Sequence, residues 1–234
     1  MALPTWQLSR TSMILWEGDS LSDPALPYQM LNPVWEMMTN SYAPSTPGIV
    51  GSPRRPTSSS VVRPNITRKG VNGSTIAQIN ARIAAELAVN AYTHVVVCCG
   101  TNERAVLRAD TQTAIASLVS KFTTQKVLVI GPYAWGEKWP TGQNDIAGAN
   151  DARLDETEAD LVSGFASYAN SLVIGLRNGG GSTATTGLYL TTMPLINTPS
   201  PGASIGPYTV DGTHWNPRGR AAVYGIVQPF ITFG

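Results

Sequence analysis

The chain has two histidines, and one of them has a carboxylate close by. Asp211-Gly212-Thr213-His214 places an acid three residues before a histidine, near enough to turn back within one loop and accept the Nδ1 proton. Nε2 would then face a nucleophile, the arrangement by which a serine is activated for acyl transfer. His94, ahead of the apolar run Val95–Cys99, has no such local partner and reads as a strand-end residue with a satisfied hydrogen bond. Two serines sit in glycine-rich settings. Gly202-Ala203-Ser204-Ile205-Gly206 has the letters of a nucleophile elbow, but Pro199, Pro201 and Pro207 deny it the strand before and the helix after that an elbow needs. Gly18-Asp19-Ser20-Leu21-Ser22 has that context, following an apolar run and preceding a helical stretch. A serine there would lie near free backbone N–H groups and the positive end of a helix dipole, both of which favour an oxyanion.

Other chemistries are less well supplied. Asp151, Asp155, Glu156, Glu158 and Asp160 could furnish paired carboxylates for glycoside cleavage, yet their clustering on one predicted helix reads as a solvated face. Cys98-Cys99, adjacent within an apolar run, fits neither a disulfide framework nor the paired spacing of a zinc site. No metal site is expected.

Four segments together resemble a known family. Gly18-Asp19-Ser20-Leu21-Ser22, Gly70-Val71-Asn72-Gly73-Ser74-Thr75, Gly100-Thr101-Asn102-Glu103 and Asp211-Gly212-Thr213-His214 resemble, in order, the four blocks of the SGNH (GDSL) hydrolases. The resemblance spans residues 18 to 214. It implies Ser20 as nucleophile, His214 as general base and then acid, and Asp211 as the carboxylate that orients it. It also implies an oxyanion hole made of the Ser20 and Gly73 backbone N–H groups and the Asn102 side-chain amide, with no cofactor. Gly73 has no Cβ to block an approaching carbonyl, and Asn102 follows a strand at its carboxyl end, where open α/β sheets place ligands. Simpler readings exist: Asn72-Gly73 is a turn pair, and Asn102 could cap a helix. The chain departs from the family pattern at Glu103, where Asp is common, at Asp23, where Gly is frequent, and at Trp215, where Pro often follows the histidine.

The elements that must hold these residues alternate between apolar runs and helix-periodic stretches, the pattern of an α/β fold with a parallel sheet. Strands are expected at Met13 to Trp16, Val95 to Cys99, Val127 to Ile130 (stopped by Gly131-Pro132), Leu172 to Ile174 and Leu188 to Leu190. Helices are expected at Pro27 to Asn40, Ser74 to Asn90, around Ile115, Leu118, Val119 and Phe122, at Asp151 to Ala169 and at Pro217 to Phe230. That predicts a three-layer α/β/α sandwich around a mainly parallel sheet of roughly five strands. The resemblance likewise implies this flavodoxin-like arrangement, in one domain across residues 1 to 234. The long Pro/Gly/Ser/Thr-rich or aromatic stretches at 44–60, 131–150 and 178–210 read as functional loops.

Composition narrows the partners. Sixteen Lys and Arg against fifteen Asp and Glu leave a net charge of +1, and only 13% of residues are charged. Nucleic acid, which needs Lys and Arg against phosphates, is excluded as a partner, as is electrostatic membrane anchoring. No transmembrane run or secretory signal is recognisable, so a soluble chain is expected, with its compartment and oligomeric state left open. Nineteen Ser and 24 Thr do the solvating that charges normally do. Such a neutral surface suits uncharged esters. Tyr133, Trp135, Trp139 and Trp215 could form a flat platform for a sugar ring, although each is equally compatible with burial under a loop. Short acyl esters on a saccharide are the expected substrate. Alternatives are a lipase or thioesterase for longer chains, or a non-catalytic carbohydrate-binding or virion surface module, which would not need the Ser20, Asp211 and His214 set.

Overall fold

Runs of Val, Ile and Leu with no polar alternation are extended segments that must be covered on both sides. In the computed structural model, which describes residues 6–9, 11–20, 22, 65–133, 149–176, 188–189 and 231–233, these runs form one parallel sheet. Its strands are β2 (Met13–Gly18), β3 (Asn65–Arg68), β4 (His94–Cys98), β5 (Lys126–Tyr133), β6 (Ser171–Leu176) and β7 (Leu188–Tyr189), in the order β3-β2-β4-β5-β6-β7. All five expected strands are present, and β3 adds a sixth at the edge. Separately, β1 (Trp6–Leu8) pairs in parallel with β8 (Ile231–Phe233). Leu15 lies opposite Val95, and Val95 opposite Val127, so the central strands meet in apolar rows.

The described helices are α1 (Ile76–Val89), α2 (Arg108–Val119) and α3 (Ala149–Phe165). Each links strands that advance in one direction across the sheet, and right-handed crossovers then put all three on one face. There Ile76, Ile79 and Ile83 of α1, Ile115 and Leu118 of α2, and Leu161 and Phe165 of α3 close over Leu15, Val95, Val97, Val129 and Val173. The alternate residues Ile14, Trp16, Val96, Leu128, Leu172 and Ile174 are just as buried, so neither face of these central strands meets solvent. The helices expected at 27–40 and 217–230 lie outside the described residues. No helix among the described residues is long and apolar enough to cross a membrane.

Three expectations need correction. β5 does not stop at Gly131-Pro132 but runs on to Tyr133, because the register with β6 shifts between Ile130 and Tyr133. Proline lacks the N–H that a regular ladder requires, and such a bulge is where a strand tolerates it. α2 ends at Val119, so Phe122 lies beyond it, packed by ring contacts on Phe165 and Tyr168 with centroids 6.2 and 6.0 Å away. The acidic face of α3 is not simply solvated. Glu158 and Asp160 are buried, and Asp160 takes a two-pronged bond from Arg108 (2.9 and 3.0 Å) and another from Gln112 (3.1 Å) where α3 packs on α2.

Candidate active site

The strand order reverses between β2 and β4. The chain leaves β2 for β3 on one side and then crosses α1 to β4 on the other. At such a switch point the loops beyond the carboxyl ends of the two strands part and leave a crevice. Ser20 follows β2, and Asn102 follows β4, at this one place. His94 starts β4, at the opposite end of the sheet, buried with Nδ1 2.8 Å from Thr93 Oγ1. Burial and the nearby Lys126 ammonium lower its pKa to about 4, so it is neutral at pH 7.

Ser20 is nearly buried, in a tight turn where the Ser22 N–H donates to the Asp19 carbonyl (3.0 Å). The Asp19 N–H donates to the Cys98 carbonyl (3.2 Å), carrying the β2–β4 ladder up to the serine. Trp16 Nε1 donates to Ser22 Oγ (2.8 Å) and holds the far side of the turn. The helix expected after Ser20 falls outside the described residues.

The loop from Gly70 to Thr75 lies against this turn. The Val71 N–H donates to the Gly18 carbonyl (3.0 Å). A Cβ on Gly70 would stand 2.3 Å from the Ser22 carbonyl carbon, so only glycine lets the two backbones come this close. Gly73 has a φ of +74° and is exposed, with open space where a Cβ would be. Among the described residues nothing there obstructs an incoming group. Next, Thr75 caps α1 and its N–H donates to Gln78 Oε1 (2.9 Å).

Asn102 sits on a 3-10 turn, Thr101–Ala105, that begins as β4 ends. Its Nδ2 donates to the Ser74 carbonyl (3.1 Å), leaving a second N–H without an acceptor among the described residues. Glu103 is buried; its Oε1 accepts from the Ile76 N–H and its Oε2 from Thr111 Oγ1 (3.1 Å). Burial raises the Glu103 pKa, against the pull of these two bonds and the Arg153 charge. A carboxylate with one more methylene than Asp thus ties the Asn102 turn to the first N–H of α1, where the helix dipole favours negative charge.

A charged pair that sequence reasoning missed lies beneath these segments. Glu17 is fully buried on β2, and Arg82 of α1 reaches its Oε1 from Nη2 (2.7 Å) and Nε (2.8 Å). Burial raises the Glu17 pKa and Arg82 opposes the rise. Ending the expected strand at Trp16 hid Glu17; a carboxylate inside a buried strand requires a cation, and α1 contains one arginine.

The segments carrying Ser20, Gly73 and Asn102 therefore meet at one end of the sheet. Asp211, His214, Trp135, Trp139 and Trp215 lie outside the described residues, and Tyr133 is placed only as the last residue of β5. Among the described residues no cluster of His, Cys, Asp or Glu could hold a metal ion. Cys98 and Cys99 are buried free thiols whose pKa values burial pushes up.

No protein-family profile matches the sequence, and no curated protein is similar to it. Solved structures share its fold. A catalytic mutant of an acetylxylan esterase from Geobacillus stearothermophilus is 13% identical with a TM-score of 0.61, covering 95% of each chain. A carbohydrate acetylesterase from Sinorhizobium meliloti is 13% identical with a TM-score of 0.57, covering 94% of this chain and 97% of its own. A Lactobacillus plantarum protein is 16% identical with a TM-score of 0.58, covering 95% and 97%.

Proposed function

We propose that the protein is a serine carboxylic ester hydrolase of the SGNH (GDSL) type, acting on short acyl esters carried by a saccharide. The observation that carries this reading is the meeting of three sequence blocks, 18–22, 70–75 and 100–103, at the carboxyl ends of β2 and β4. Structural neighbours named as acetylxylan esterase and carbohydrate acetylesterase, matched over nearly their whole length, support both the class and one domain.

In this mechanism Ser20 Oγ attacks the ester carbonyl carbon while His214 takes its proton. The oxyanion is held by the Ser20 and Gly73 N–H groups and the Asn102 amide. Asp211 holds the imidazole in the required tautomer, and the imidazolium then gives its proton to the departing alcohol. Water, deprotonated by the same histidine, releases the acyl group as an acid. Tyr133, Trp135, Trp139 and Trp215 are assigned to the saccharide side.

Ser20→Ala should abolish hydrolysis of p-nitrophenyl acetate and labelling by a fluorophosphonate, with an unchanged circular dichroism spectrum. Turnover by that variant at the wild-type rate would sink the assignment. A series of p-nitrophenyl esters from acetyl to long acyl, run beside acetylated xylan, tests the substrate. Preference for long chains would overturn the short-acyl reading.

A further inference from the structure

We infer that Arg82 is a positioning residue of this ester-hydrolase site, locking the strand end that carries Ser20 to the loop that carries Gly73 and anchors Asn102. The inference rests on the function proposed above. Its basis is where one guanidinium sends its bonds. On the nucleophile side, Nη2 donates to the Gly18 carbonyl (3.1 Å), two residues before Ser20. That carbonyl also accepts from the Val71 N–H (3.0 Å), so the end of β2 is tied both to the neighbouring loop and to α1. On the oxyanion side, Nη1 donates to Ser74 Oγ (3.1 Å). Ser74 directly follows Gly73, and its carbonyl is the acceptor for Asn102 Nδ2 (3.1 Å). All three groups assigned to the oxyanion hole are thus within two residues, or one hydrogen bond, of a residue that Arg82 holds.

Glu17 keeps the arginine in place. Its Oε1 takes both Nε and Nη2, and it is wholly buried on the strand face that α1 covers. The pair would be a poor choice for stability alone, because well-packed apolar residues commonly serve a buried position as well or better. What an apolar pair cannot supply is a rigid planar fork with donors aimed at two loops. Lysine, a single point charge on a flexible stem, cannot span them either.

The test measures kcat and KM on p-nitrophenyl acetate for wild type, Arg82→Lys, Arg82→Gln and Ser74→Ala. Each rate is divided by the number of sites titrated by a fluorophosphonate, well below each variant's melting temperature. Misplacing oxyanion donors weakens the transition state and not ground-state binding, so kcat per titrated site should fall about tenfold in Arg82→Lys and about a hundredfold in Arg82→Gln. KM should stay within about twofold of wild type. Ser74→Ala, which among the described residues loses only the Arg82 bond to that hydroxyl, should lower kcat about threefold. A merely structural ion pair would lower melting temperatures and leave kcat per titrated site unchanged. That result, or an effect confined to KM, overturns the assignment. If Arg82→Gln does not fold, Arg82→Lys and Ser74→Ala decide by the same criterion. Failure of wild type to be labelled at Ser20 or to cleave the ester overturns the proposed function itself, and this assignment with it.

Discussion

Glu17, Glu103 and His94 are ionisable side chains withdrawn almost completely from water, and each meets the cost of burial differently. Glu17 shares one carboxylate oxygen with a guanidinium, Glu103 caps a helix, and His94 gives up its charge. The consequences for pH have opposite signs. The folded pKa of His94, about 4, is below its usual 6.5, so between these values the unfolded chain binds a proton that the folded chain refuses. Its contribution is fully present above pH 6.5 and lost as pH falls toward 4, amounting to about 3 kcal/mol at most. Glu17 and Glu103, whose pKa values are raised, contribute stability that is full below the usual carboxylate value of 4.5 and is lost as pH rises through the folded value. Urea denaturation at several pH values between 6.5 and 4 should therefore show a shallower loss of stability in His94→Gln than in wild type. Equal slopes would show that His94 does not carry the effect. His94 is at a strand end and bonded to its neighbour Thr93, as its place before an apolar run predicts, but neither carboxylate's environment is visible locally. Glu17 finds Arg82 65 residues away, Glu103 finds Ile76 27 residues back, and periodicity says nothing about either distance.

At the scale of elements, α1 connects the core to the site. Its Ile76, Ile79 and Ile83 face the sheet while Arg82, one residue from Ile83, turns toward the carboxyl end of β2. Ile79→Ala should cost about 2–5 kcal/mol of stability through lost burial and the cavity left behind. Val89, on the same helix but 77% exposed, should change stability by no more than about 0.5 kcal/mol when replaced by Ala. Equal shifts in urea midpoint would contradict the placement of this helix. Spacing of three and four revealed the apolar stripe of α1, and its bounds agree within two residues because Thr75 caps one end. β5 was harder to bound. Gly-Pro is the ordinary signal for a strand's end, and a bulge that accommodates it depends on the partner strand. Likewise β3, polar and partly exposed, has no apolar run to mark it and exists because β2 offers it an edge.

For the whole molecule, a net charge of +1 on 234 residues leaves little field to steer a substrate. With an uncharged ester, kcat/KM should change less than about twofold between roughly 50 and 500 mM salt. A strong salt dependence with such an ester would contradict the weak-field reading. The sequence by itself determined the α/β class, five strands of the sheet and the blocks at Ser20, Gly73 and Asn102, because strands buried on both faces must be continuously apolar and a turn's glycine and polar residues are local requirements. Only the tertiary structure decided which strands are neighbours. That choice puts the ends of β2 and β4 at the switch point, pairs β1 with β8 from opposite ends of the described chain, and closes Arg82 onto Glu17, Gly18 and Ser74. Pairing of this kind is set by long-range burial and hydrogen bonding between segments tens of residues apart, which no window of neighbouring residues records.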